Sequence, residues 1–185
     1  MVYYLVGLLD KTSYKYIEKI QKDLSDKFNL YTELPVLHVT LEVINEPDIE
    51  KLTFWLDNLL KKYSKFTINI NGVICFDPPF KSVNLKVEKD IHIMNLIENI
   101  NSVLKAEGFK VRENIDDWDL HISLANSYFS KRDWSAEEFQ AACLLTKKKY
   151  FKKQSKITEI QLWKPINDKN SMVVKSFTLK NSTEK

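Results

Sequence analysis

Two rhythms of apolar and polar residues run along this chain of 185 residues, the two-residue period of strands and the 3.6-residue period of helices. The opening run 2–9 is rich in Val, Tyr and Leu and predicts a buried strand. Over 12–28 the apolar positions Ile17, Ile20, Leu24 and Phe28 form a helical stripe. Pro35 interrupts the chain, and a strand is predicted over about 36–44. Asn45 and Pro47 then open a second helix with the stripe Ile49, Leu52, Leu56, Leu59 and Tyr63. Residues 66–76 alternate as a strand, with Gly72 at a bulge, and Asp77-Pro78-Pro79 marks a turn.

The same order then restarts. Val83, Leu85 and Val87 alternate through 81–88, and Ile93, Ile97, Ile100 and Leu104 stripe a helix over about 90–107 that Gly108 ends. A short strand follows over 120–125. Ser135-Ala-Glu-Glu138 reads as a capping box for a helix carrying Phe139, Ala142 and Cys143, with Lys147 to Lys149 suited to its C-terminal end. Two last strands are predicted over about 156–164 and 172–179, and residues 181–185 read as a disordered tail. Strand–helix–strand–helix–strand thus occurs twice. It predicts an α+β fold made of two similar lobes about a pseudo-two-fold axis, in one domain covering 1–185.

The two short strands at equivalent places in this doubled order carry the same word. Leu37-His38-Val39-Thr40-Leu41 matches Leu120-His121-Ile122-Ser123-Leu124 in type at every position. Alternation puts each histidine on one face with its hydroxyl partner, and the leucines with Val39 or Ile122 on the other, toward a core. A two-fold axis would bring the two polar faces together. Imidazole changes charge near neutral pH, so two of them suit base and acid work across one phosphorus, with the hydroxyls donating to its non-bridging oxygens.

Composition narrows the field. With 44% hydrophobic residues the chain has enough apolar surface for a sizeable core, and a net charge of +3 is too small for a dedicated nucleic-acid scaffold. Arg112 and Arg132 are the only arginines, so phosphate recognition would fall to lysines, hydroxyls and backbone donors. Cys75 and Cys143 sit in apolar contexts without metal-ligand spacing and are expected as buried free thiols in a cytoplasmic protein. No segment approaches transmembrane length. Three glycines and no Gly-x-Ser-x-Gly elbow argue against a serine hydrolase.

The paired His-x-Thr/Ser words, a lobe apart in a duplicated order, resemble the two-histidine (2H) phosphoesterase superfamily, which includes bacterial 2′-5′ RNA ligase-like proteins and cyclic phosphodiesterases. The resemblance spans about 2–180, although many relatives carry an arginine soon after the second motif, where this chain has Ala125-Asn126. It implies a bilobal fold, two antiparallel sheets forming a central cleft with helices outside, and metal-independent, cofactor-free chemistry on 2′,3′-cyclic phosphates or 2′-5′ linkages. It also implies His38 and His121 as the catalytic pair and Thr40 and Ser123 as phosphate-binding hydroxyls. For hydrolysis of a cyclic phosphate to a 2′-phosphate, His121 is expected as base and His38 as acid, with the roles exchanged in the ligase direction.

Four further residues are candidate substrate contacts. Trp118 has two readings, stacking on a base or packing; Lys81 stands at a strand entrance; Tyr4 lies on the first strand; Lys164 ends a late one. His92, without a hydroxyl partner, reads as a surface residue. The expected partners are RNA ends or small nucleotides, met by a monomer away from membranes. Two alternatives remain: a binder of RNA ends or nucleotides without turnover, and a hydrolase of cyclic oligonucleotide signals.

Overall fold

The computed structural model describes residues 1–149 and 151–181. Among them the chain forms β1 (Val2–Leu9), α1 (Lys11–Phe28), β2 (Val39–Asn45), α2 (Ile49–Leu60), β3 (Phe66–Phe76), β4 (Ser82–Val87), α3 (Ile91–Ala106), β5 (His121–Ala125), α4 (Ala136–Lys148), β6 (Lys152–Trp163) and β7 (Val173–Thr178). Each helix starts on a side-chain cap. Asp10, Asp48 and Asp90 accept from first-turn backbone N–H groups, and Ser135 with Glu138 closes the capping box read from the sequence.

All strand pairs are antiparallel, in the order β2-β1-β6-β3-β4-β5, with β7 also on β6. This order is its own mirror under the exchange of β1 with β4, β2 with β5 and β3 with β6, the exchange that the doubled sequence order requires. The centre of this order falls between β6 and β3. The long β6 joins the halves: Lys152–Ile157 pair with β3, and Ile157–Trp163 with β1. The two expected sheets are therefore halves of one hydrogen-bonded ladder. The helices obey the same exchange, since α1 packs on β5 and α3 on β2. Leu37, Val39 and Leu41, with Leu120, Ile122 and Leu124, are buried beneath them. Burying each such side chain contributes roughly 1.5–3 kcal/mol. The opposite faces of β2 and β5 are thereby left for the histidines.

Several boundaries differ from the sequence expectation. The strand β2 begins at Val39 because the stretch holding Pro35, which has no N–H to donate, stays irregular. The strand β6 begins at Lys152, ahead of the expected 156, because its polar start is paired with β3. On α2 the buried stripe is Leu52, Leu56 and Leu60, so Leu60 takes the place expected for Leu59. A register shift opposite Leu5 and Val6 leaves Leu41 as an extra residue in β2 and turns Glu42 into the core, fully buried. There Glu42 takes the Nε of Arg112 at 2.7 Å and the Nδ2 of Asn101 at 2.7 Å.

The cysteine expectation is corrected. Cys75 at the end of β3 and Cys143 in α4 form a disulfide across 68 residues, because α4 packs over β3 and brings their Cα atoms to 6.2 Å. The free-thiol argument for a cytoplasmic protein goes with it. No helix among the described residues is long and apolar enough to cross a membrane. Of the tail expected to be disordered over 181–185, residues 182–185 lie outside the described residues, and Asn181 accepts from the Lys65 ammonium at 2.7 Å.

Candidate active site

His38 immediately precedes β2 and His121 opens β5, and both line one cavity of about 860 Å³. Each ring is held in the same way. The Nδ1 of His38 lies 2.7 Å from the carbonyl oxygen of Val36, and that of His121 lies 2.7 Å from the carbonyl oxygen of Asp119, two residues back in both cases. A carbonyl only accepts, so each Nδ1 carries the proton and donates it, and each Nε2 is left as the basic nitrogen. Aromatic neighbours fix the ring planes. Trp163 meets His38 edge-on at 4.7 Å, Phe76 meets His121 edge-on at 5.0 Å, and Trp118 stacks on His121 at 6.2 Å.

Removal from water disfavours the imidazolium at both positions. Burial pushes His38 down to about 4, against the opposing hydrogen bond to Val36 and with a small contribution from nearby His121. Burial also lowers His121, but the Asp119 carbonyl and carboxylate both favour its charged form. His38 is therefore the more strongly perturbed of the pair.

Thr40 and Ser123 line the same cavity, yet their surroundings differ. In the β4–β5 ladder Ser123 faces Asn84, a fully buried amide, and donates its hydroxyl proton to Asn84 Oδ1 at 2.7 Å. Asn84 in turn donates to Ser82 Oγ at 3.0 Å, and Asn126 Nδ2 reaches Ser123 Oγ at 3.5 Å. The residue facing Thr40 is Val6, which has nothing to offer it. Sequence reasoning missed Asn84, although a signal was present: the core alternation Val83, Leu85, Val87 leaves position 84 on the cleft face.

Of the candidate contacts, Tyr4, Trp118 and Lys164 line the cavity, while Tyr3, the residue before Tyr4 on β1, packs against the core. Trp118 rests on the guanidinium of Arg112, 4.6 Å from the ring centre. Lys81 is a correction. Its left-handed backbone, with φ of 41°, turns the side chain away, and its ammonium bonds Asp133 at 2.6 Å and the Trp134 carbonyl at 2.7 Å. The neighbouring Phe80 faces the cavity in its place. His92 sits exposed in the first turn of α3. Trp163, Tyr31, Asn126 and Tyr128 also belong to the walls, and no motif flagged them. Tyr31 secures the chain after the second motif: its hydroxyl donates to the Asn126 carbonyl at 2.9 Å and accepts from the Asn126 N–H at 2.7 Å.

Residues 6–173 match the family model of the AKAP7 2′5′ RNA ligase-like domain. Among solved structures, TT0787 of Thermus thermophilus is 15% identical with a TM-score of 0.67, covering 99% of this chain and 100% of its own. Escherichia coli LigT complexed with 3′-AMP is 13% identical with a TM-score of 0.62, covering 96% and 97%. Usb1 of Kluyveromyces marxianus is 11% identical with a TM-score of 0.51, covering 97% of each chain. At these identities the structural likeness speaks for the fold. No curated protein sequence matches the chain. The family-model match over most of its length makes this chain a member of the AKAP7 2′5′ RNA ligase-like domain family, within the two-histidine phosphoesterase superfamily.

Proposed function

We propose that the chain works as one bilobal unit that hydrolyses a 2′,3′-cyclic phosphate or a 2′-5′ phosphodiester of an RNA end or small nucleotide. The observation that carries this reading is the matched tethering of His38 and His121, each held at Nδ1 by a carbonyl and both lining one cavity. The LigT structure with 3′-AMP supports a nucleotide-sized ligand in this fold.

In the cyclic case, water adds to phosphorus as one Nε2 takes its proton. The bond from phosphorus to the 3′ oxygen breaks, and the other imidazolium protonates that oxygen, leaving a 2′-phosphate. Thr40 donates to one non-bridging oxygen, where charge grows, and Ser123 donates to another by swinging its one hydroxyl proton from Asn84 Oδ1 to the substrate. The deeper depression of His38 favours it as the neutral base and leaves the shared proton on His121. This reverses the assignment expected from the sequence. Every group in this scheme comes from the chain and the substrate.

The test is turnover of 2′,3′-cyclic mononucleotides and 2′-5′ dinucleotides in excess EDTA, with products identified by phosphorus NMR. Consumption that survives chelation is the expected result. Binding of these ligands without consumption would make the protein a binder, and activity lost to EDTA and restored by a metal would overturn the two-histidine scheme.

A further inference from the structure

The walls of the cavity are poor in positive charge. Among its lining residues Lys164 is the one lysine or arginine, and Asp117 and Asp119 are also present. Three cations nearby are committed elsewhere, Lys81 to Asp133, Arg112 to Glu42 beneath Trp118, and Arg132 to Glu138, while Lys131 and Lys169, on loops that supply wall residues, stand outside the lining. Lys86 pairs with His121 in the β4–β5 ladder but stands outside the lining. Uncharged flat surface is plentiful by contrast. Trp163 flanks one histidine, Phe76 and Trp118 the other, and Phe80 and Tyr128 at the cavity are 69% and 71% exposed.

We infer that the cavity selects a phosphodiester bearing a single negative charge between two flat, uncharged groups, and disfavours the same ligand with added terminal phosphates. This rests on the phosphoesterase reading above and names its substrate class. One bound phosphodiester needs one compensating charge, and a site sharing a single proton between two histidines supplies it. Lys164 can meet one further phosphate; those beyond it must shed water without a partner cation in the lining and face repulsion from Asp117 and Asp119. Stacking on aromatic rings is indifferent to such charge and serves any base. A volume of about 860 Å³ is in the upper range of small-molecule sites, which fits two such groups better than a lone cyclic phosphate.

The experiment compares a 2′-5′ dinucleotide ending in a 5′-hydroxyl with the same dinucleotide bearing a 5′-triphosphate. Two quantities are read for the intact protein: kcat/KM, and affinity from quenching of tryptophan fluorescence. The expected result is a preference on the order of tenfold for the hydroxyl form. The logarithm of its affinity should fall with the logarithm of salt no more steeply than about −0.7, the slope of one cation contact. Equal or better use of the triphosphate, or a slope several times steeper, would overturn the inference. If no diester is turned over, the catalytic reading fails, and the binding order and salt slope still decide this one.

Discussion

An imidazole tied at Nδ1 to a main-chain carbonyl has one nitrogen left for chemistry, and burial then decides how readily that nitrogen holds a proton. His38 at about 4 and His121 below its ordinary 6.5 place the free enzyme's kcat/KM optimum on the acidic side. On the proposed roles, the acid limb belongs to His38 losing its proton and the alkaline limb to His121 losing its own. A bound phosphate anion favours imidazolium at both, so the kcat profile should lie at higher pH than that of kcat/KM. His38→Ala should remove the acid limb; if His121→Ala removes it instead, the two roles are exchanged. The same shift links to stability. The unfolded chain takes up the proton near 6.5 and the folded chain only near 4, so stability falls as pH drops through that window, and His38→Asn should blunt the fall. The two hydroxyls should also part company. Each alanine substitution costs on the order of 10²–10³ in rate if its donor meets a charged oxygen. Ser123→Ala in addition strands the buried Asn84 carbonyl and should cost about 1–3 kcal/mol in urea unfolding, while Thr40→Ala costs less. Thr40→Ser should keep most of the activity; if it is as impaired as Thr40→Ala, the methyl's packing matters rather than the donor.

The strands and helices were largely legible because their apolar periods are strong, as in Ile17, Leu24 and Phe28 or in Val83, Leu85 and Val87. What the pattern concealed was imposed by neighbours. Nothing in Lys152-Lys-Gln-Ser155 asks for a strand; those residues are extended because β3 pairs with them. Simple alternation from His38 and Thr40 puts Glu42 on the cleft face, and the extra residue Leu41 sends it inward. That bulge joins the two motifs: Glu42 holds Arg112, Arg112 supports Trp118, and Trp118 stacks on His121. Truncating Glu42 leaves a largely buried guanidinium without its partner, so Glu42→Ala should cost about 3–5 kcal/mol in chemical denaturation. A loss under about 1 kcal/mol would show that Arg112 finds water or another partner readily.

At the scale of the whole molecule, the doubled order was legible in the repeated word and the apolar periods, and the order of β1 to β6 follows it, with β7 an addition on β6 that has no counterpart. The disulfide lay beyond reach, since two thiols 68 residues apart meet only through the packing of α4 on β3. Reducing it should lower stability by about 2–4 kcal/mol, and a Cys75→Ser/Cys143→Ser double variant should be insensitive to reductant. The alternation of Val83, Leu85 and Val87 makes position 84 legible as cleft-facing, but its partner Ser123 is fixed only by the pairing of β4 with β5. The central claim, that His38 and His121 act together on one phosphorus, is tested most directly by the turnover of a 2′-5′ dinucleotide or 2′,3′-cyclic nucleotide by His38→Ala, His121→Ala and the double variant, each first shown to be folded. Each single loss should be about 10²–10⁴-fold, and the double loss should fall far short of their product because the residues work as a unit. Either folded single variant turning over at the parent rate would contradict the account.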